Sequence, residues 1–309
     1  MTLDALLFQA LNGLAAASGL FFVGAGLSLI FGVTRIVNIA HGSLYMLGIY
    51  IAYSIATKVG GGLGFWGSLI LAPLAVAAIG ALIEMVLLRR IYQAPELFQL
   101  LATFAILLVI NDATLFIWGN EDLFGPRAPG LRGSIELLNR RLPSYDLFLI
   151  AAGPVVLIAL HLLLAKTRFG RLIRAATQDR EMVGALGVNI KLLFTLVFGL
   201  GAALAGFAGM MQAPILTVQI GMGENILILA FVVIIIGGIG SIRGAFVASV
   251  IVGLIDTVGR AFLPDLLRLV LSSRGASTVA PAMSSMMIYL LMAIVLVLRP
   301  EGLFPVSSK

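Results

Sequence analysis

Nine stretches free of Asp, Glu, Lys and Arg set the terms for this chain: 9–34, 36–57, 59–83, 97–111, 147–165, 192–223, 225–242, 244–255 and 275–298. Most reach the roughly 17 to 25 residues that a helix needs to cross a bilayer at about 1.5 Å per residue. The chain is 61% hydrophobic and 11% charged, with a mean hydropathy of +1.11. A soluble domain is roughly 45–50% apolar and 25% charged, so the bilayer is the expected solvent. No part is both long enough and polar enough to stand as an independent soluble domain. The sequence predicts an all-α, polytopic transmembrane bundle of about eight to nine helices.

Three runs are ambiguous as spans. The run from 244 is short, and the run from 225 is cut by Gly237, Gly238 and Gly240. The run from 36 opens on the polar cluster Asn38, His41, Gly42 and Ser43. The first run follows only Asp4, without a basic leader, which predicts a retained helix and not a cleaved signal peptide.

Cysteine is absent, which excludes disulfides, thiolate metal sites and cysteine nucleophiles. His41 and His161 stand too far apart in the chain to offer a local metal-ligand spacing. The net charge of +6 reads as a topology signal and not a nucleic-acid groove, because Lys and Arg gather in short segments between apolar runs. With nine crossings and an outside N-terminus, Arg35, Arg89, Arg90, Lys166, Arg168, Arg171, Arg174, Arg180, Lys191, Arg243, Arg299 and Lys309 fall inside. Between Lys166 and Lys191 the basic residues face only Asp179 and Glu181, whereas 118–146 balances arginines against acids. The first segment is therefore expected in the cytoplasm and 119–146 outside.

Two sets of residues are candidates for function. Within the apolar runs, His41, Glu84, Asn111, Asp112, Glu224 and Asp256 are costly in hydrocarbon and are expected to face a cavity or a polar partner. Glu84 and Asp112 also suit an interface, since Arg89 and Trp118 follow within two turns. In the 166–191 loop, a helix would place Leu172, Ala176, Met182, Val183 and Leu186 on one face, with Arg171, Arg174 and Arg180 on the other. Such an element docks on a membrane or in a partner's groove, or it simply anchors topology. Small residues at four-residue spacing, among them Gly199, Ala202, Ala203, Ala205, Gly206 and Gly209, mark a close-packing helix surface.

None of the four lysines completes a G-x-x-x-x-G-K-[ST] loop, and H-E-x-x-H and G-x-S-x-G do not occur. If ATP drives this protein, another chain must hydrolyse it.

Five segments, GVTRIVNIAHGSLYMLG (32–48), RAATQDREMVGALGVN (174–189), GAALAGFAGMM (201–211), GGIGSIRGAFVAS (237–249) and RPEGLF (299–304), occur in an order and spacing that closely resemble the permease subunits of bacterial ABC importers for branched-chain amino acids. The resemblance covers nearly the whole chain. It implies one permease domain over residues 1–309, with a cytoplasmic coupling loop at about 166–191, in a multi-pass protein of the bacterial inner membrane. Implied partners are a second homologous permease subunit, two cytoplasmic ABC ATPases that bind ATP and Mg, and a periplasmic or external solute-binding protein. The chain itself would bind no cofactor and catalyse no reaction.

By the same resemblance, Asn38, His41 and Gly42 match an early N-x-x-H-G feature. Together with Glu84, Asp112, Glu224 and Asp256 they are the candidates for the translocation path or gate. Arg174, Asp179, Glu181, Met182, Leu186 and Gly187 are the candidates for ATPase coupling, with Ala175 and Ala176 in a degenerate version of the importer coupling motif. The rival reading is a secondary transporter or channel that works without ATP, which broken helices around 38–43 and 237–244 would also suit.

Overall fold

The computed structural model describes residues 3–137, 140–269 and 271–305. Its membrane-length elements begin with α1 (Leu3–Thr34), α2 (His41–Val59) and α3 (Gly61–Ile83). Helix α3 continues through a π-helical turn (Glu84–Leu88) into the short α4 (Arg89–Ile91), and α5 (Glu96–Trp118) follows. After a polar segment come α6 (Ser144–Lys166), the short α7 (Arg168–Gln178) and α8 (Arg180–Ala185), then α9 (Ile190–Gln212), α10 (Met222–Gly237), α11 (Ile242–Leu267) and α12 (Ser273–Leu298).

Among the described residues seven helices are long and apolar enough to cross a membrane, and α10 adds a shorter apolar one. Helix α2 is long enough at 19 residues. It is polar for a span, yet protein encloses its first turns. These together meet the eight to nine helices expected. Several boundaries move. The run 244–255 does not end at Asp256, because Arg260 pairs with Asp256 one turn on (2.7 Å) and lets α11 continue to Leu267. The stretch 263–277 is accordingly mostly helix, the end of α11 and the start of α12. Lys309, placed with the inner basic residues above, lies outside the described residues.

Helix α1 is the axis of the bundle. Phe21, Phe22, Val23, Ala25 and Leu27 have no exposed surface, and α2, α6, α9, α10 and α11 surround them. Between helices in lipid there is little hydrophobic drive, so close van der Waals approach has to hold them. Glycine supplies it. A Cβ added at Gly26 would meet the Gly201 carbonyl oxygen at 2.6 Å, and one at Gly48 would meet the Gly206 Cα at 2.5 Å. Of the small residues expected along α9, Gly206 serves α2 and α3 and Gly209 serves α2, while Gly201, outside that set, serves α1.

The basic helix ends expected inside share one end of the bundle. Arg89 reaches the Lys191 carbonyl (3.4 Å), Arg243 touches the His161 ring (3.4 Å), and a Cβ at Gly32 would touch Gly240. The 119–146 insert sits at the opposite end and holds three short strands, β1 (Leu123–Phe124), β2 (Ser134–Leu137) and β3 (Arg140–Pro143). β2 and β3 form an antiparallel pair, and β1 pairs with β4 (Thr217–Val218), which follows α9.

Candidate functional site

Helix α1 ends where Arg35 takes a left-handed conformation (φ 56°). A side chain with a Cβ is uncommon there, and the effect is to turn the chain back into the bundle. The Thr34 hydroxyl supports the reversal by accepting from the Ile36 amide (3.3 Å). Residues 36–40 are not helical, and α2 starts at His41, whose Nε2 lies 3.1 Å from the Val23 carbonyl, well inside the span of α1. A carbonyl only accepts, so Nε2 carries the proton and Nδ1 is left as an acceptor. Among the described residues Nδ1 has no protein partner, and neither do Oδ1 and Nδ2 of Asn38. Both side chains are enclosed, at 0% and 1% exposure.

A second helix begins at the same place. Gly42 lies against Gly223 in the first turn of α10, and a Cβ on either residue would collide with the other's backbone. The bundle thus contains two helix N-termini, of α2 and of α10, that meet backbone to backbone inside it. Unwound backbone at membrane depth is tolerated only where protein or a water-filled cavity surrounds it.

Asp112, Glu224 and Asp256 occupy a different surface. The Asn111 amide donates to Glu224 Oε1 (3.4 Å), which joins α5 to the start of α10. Asn225, next along α10, lines a cavity of about 210 Å³ with Arg260 of α11 and Ser285 and Tyr289 of α12. Asp256 pairs with Arg260 at its edge. Asp112, Glu224, Asn225, Arg260 and Tyr289 are exposed on the isolated chain, and Ser285 is half-buried. They form a polar face running from α5 across α10 to α12, at a depth where lipid would be a poor partner.

Glu84 belongs to neither group. In the π-helical turn the Arg89 amide bonds the Glu84 carbonyl five residues back, and this wider turn sets the two side chains over one another. Glu84 is fully buried and accepts from Arg89 Nη2 (3.1 Å), the Tyr92 hydroxyl (3.0 Å) and the Thr195 hydroxyl (2.6 Å) of α9. Burial, then the Glu84 carboxylate beside it, push the Tyr92 hydroxyl up, so it stays a donor. The cluster ties the end of α3 to the start of α9 at the basic end of the bundle. Breaking a buried pair by removing one partner costs about 3–5 kcal/mol. Glu84→Ala is therefore expected to lower the melting temperature of the purified protein clearly, and Glu84→Gln, which fills the same space and keeps one of the two acceptor oxygens but not the charge, by less. Equal melting temperatures for Glu84→Ala and the native chain would remove the cluster's structural role.

The 166–191 segment is not one helix with one apolar face. It breaks at Asp179, whose carboxylate leaves the helical path and accepts from the amides of Glu181 (3.0 Å) and Met182 (2.9 Å), capping α8. Ile173 and Ala176 of α7 point inward onto Leu29, Val33, Leu193, Phe194 and Val197, and Val183 of α8 is also buried. Met182 and Leu186 point away, at 59% and 76% exposure. The expected shared face is thus divided between an inward side and an outward side. The Arg174 guanidinium donates back to the Leu164 carbonyl at the end of α6. Gly187, at φ 86°, closes α8, with its own amide on the Gly184 carbonyl and that of Val188 on Val183. These are the two bonds of a left-handed helix stop that favours glycine.

The structure therefore brings Asn38, His41 and Gly42 together at the helix break. Glu224 meets Asn111, next to Asp112, on the exposed face, Asp256 is half-buried against Arg260, and Glu84 anchors α3 to α9. Sequence reasoning missed Gly223, Thr195, Asn225, Ser285 and Tyr289 as contributors. Arg260 had a readable signal, its spacing of one helical turn from Asp256.

Residues 9–296 match the family model described as branched-chain amino acid transport system / permease component. The chain is 27% identical over 271 residues to the high-affinity branched-chain amino acid transport system permease protein LivH of Salmonella typhimurium, covering 82% of this chain and 86% of that one. It is 28% identical over 269 residues to the corresponding BraD of Pseudomonas aeruginosa, covering 83% and 87%. Similarity also extends to LivM of Escherichia coli, at 24% over 308 residues, covering 92% of this chain and 67% of LivM.

Proposed function

This chain belongs to the branched-chain amino acid transport permease family, and on that premise we propose how it works as the membrane-spanning subunit of an ATP-driven importer. It is a transport subunit and not an enzyme. The match of the family model across nearly all of the membrane-spanning region carries the reading. The α5–α10–α12 polar face forms one half of the translocation path, and a second, related permease covers it. Similarity to both LivH and LivM supports two related permeases in one assembly. Two ABC ATPases, holding ATP and Mg, dock from the cytoplasm on the outward side of α7 and α8. A periplasmic or external binding protein delivers a branched-chain amino acid or a related small solute at the end that carries 119–146. The protein lies in the bacterial inner membrane.

Asn38 and His41, with Gly42 against Gly223, act as the hinge of the gate. Their unpartnered buried polar atoms are ones that a second arrangement of the two helix starts could satisfy.

The test is reconstitution of this chain with its partners in proteoliposomes. Leucine uptake is expected to require both the binding protein and ATP hydrolysis. Uptake by this chain alone, without ATPase, would instead establish a secondary transporter. The orientation has its own check. With no native cysteine, Arg132→Cys and Arg180→Cys each create a single reactive position, and an impermeant thiol reagent on intact cells is expected to label only the first. Labelling at position 180 would invert the topology.

A further inference from the structure

Asp256 falls near the middle of α11 and Ser285 near the middle of α12, where the two helices pack through Gly259 and Ser284. Asn225 brings the first turn of α10 to the same place. The cavity between them opens on the surface of the chain, with the Arg260 side chain 54% exposed. Exposed to lipid, a guanidinium, an amide and a hydroxyl at this depth would be costly.

Arg260 bonds Asp256 through Nε alone, to Oδ1. Among the described residues both Nη nitrogens of Arg260 and Oδ2 of Asp256 have no protein partner. A guanidinium offers two parallel N–H donors to a carboxylate, and a free carboxylate oxygen accepts from an ammonium. The pair therefore leaves one donor fork and one acceptor side by side. The N-terminal end of α10 adds a positive dipole end. Ile228, Leu229 and Ile288 supply an aliphatic wall to the same cavity.

We propose that the Asp256–Arg260 pair, with Asn225, Ser285 and Tyr289, is a transient subsite in the path for the zwitterionic head of an aliphatic α-amino acid. Arg260 Nη atoms take the carboxylate, Asp256 Oδ2 takes the ammonium, and the isoleucine and leucine side chains receive the branched side chain. The subsite rests on the importer reading above and adds the groups that would handle the solute within the membrane. Only a small opening is needed, because the cavity already has room for several waters.

The test uses the complete importer in proteoliposomes, supplied with binding protein and leucine. A Ser285→Cys permease is expected to react with a charged, water-soluble methanethiosulfonate, and to react at least about threefold more slowly during leucine turnover. Losing a charge-assisted contact is worth about tenfold or more. Arg260→Gln is thus expected to lower leucine uptake by at least about tenfold at equal membrane abundance and equal recovery of the assembled complex, and Arg260→Lys to recover part of it. Modification of Ser285→Cys only by a lipid-soluble maleimide would overturn the proposal, because the face would then meet lipid. Full uptake in the exchanged double variant Asp256→Arg with Arg260→Asp would also overturn it, reducing the pair to a clip within α11. A native complex that imports no aliphatic amino acid refutes the importer reading and the ligand with it. Native leucine import with unchanged uptake in Arg260→Gln refutes the subsite alone.

Discussion

Gly42→Val is expected to leave little folded protein in the membrane. At the crossing of α2 and α10, a Cβ on residue 42 would stand 2.8 Å from the Gly223 carbonyl carbon and 3.0 Å from the Leu227 Cβ, with the Gly223 oxygen closer still. The obstacle is mostly backbone, so no rotamer change relieves it. Extra methylenes in a packed interior cost about 1–3 kcal/mol where side chains can shift, and valine adds two atoms beyond the Cβ. The cost here belongs at or above the top of that range. A melting curve of detergent-purified protein measures it. Gly62→Ala is the control, since among the described residues no other part of the structure lies within 4 Å of a Cβ there and its melting temperature is expected to match the native chain. An unchanged melting temperature for Gly42→Val would mean that the two helix starts do not touch.

Leu186→Asp is expected to act on the assembly while sparing the fold. Leu186 is exposed, follows the last helical residue of α8, and its amide bonds the Met182 carbonyl whatever its side chain. Nothing in the chain's interior is lost by replacing it. If α8 sits in a groove on the ATPase, a carboxylate placed there is desolvated without a partner, a cost of several kcal/mol, and each ~1.4 kcal/mol is tenfold in binding. Recovery of the ATPase with the permease, and leucine-stimulated ATP hydrolysis, are both expected to fall at least about tenfold while the permease remains inserted. Val183→Asp gives the contrast. Val183 is buried against the bundle, so the charge there is expected to lower permease stability itself. Normal coupling in Leu186→Asp would place the ATPase contact elsewhere.

Most of the helical framework was legible because lipid imposes it: an uncharged run of sufficient length has few other uses. The glycine-rich break at 237–240 was legible for a similar local reason, chain flexibility. Depth was not. His41 is expected within an apolar run, facing a cavity or a polar partner, but nothing local tells that the turn at Arg35 carries it and Asn38 to the level of Val23 inside the bundle. Hydropathy along a chain reports composition and not where a helix begins across the membrane. The break at Asp179 was hidden for a related reason: an aspartate within an amphipathic pattern reads as one more solvated residue, and only its two amide contacts reveal a cap. Glu84 reads in the sequence as a path residue or an interfacial carboxylate. Its anchor depends on Thr195, more than a hundred positions away, which no local pattern could supply. Small-residue spacing on α9 did translate directly into contacts, since close approach needs little more than the absence of side chains.

The C-terminal end of α10 bears on the order in which the protein can be made. At 16 residues this helix is about 24 Å long, short for a bilayer core of roughly 30 Å. Its last carbonyls, of Ile236 and Gly237, are taken by the amides of Leu303 and Phe304, and Gly302 nests against Gly238. Those residues are synthesised only after α11 and α12. During translation α10 therefore enters the membrane unfinished, and the segment that completes it arrives two helices later. A chain stalled before residue 303 would already carry α1 to α12 and still leave α10 unlatched.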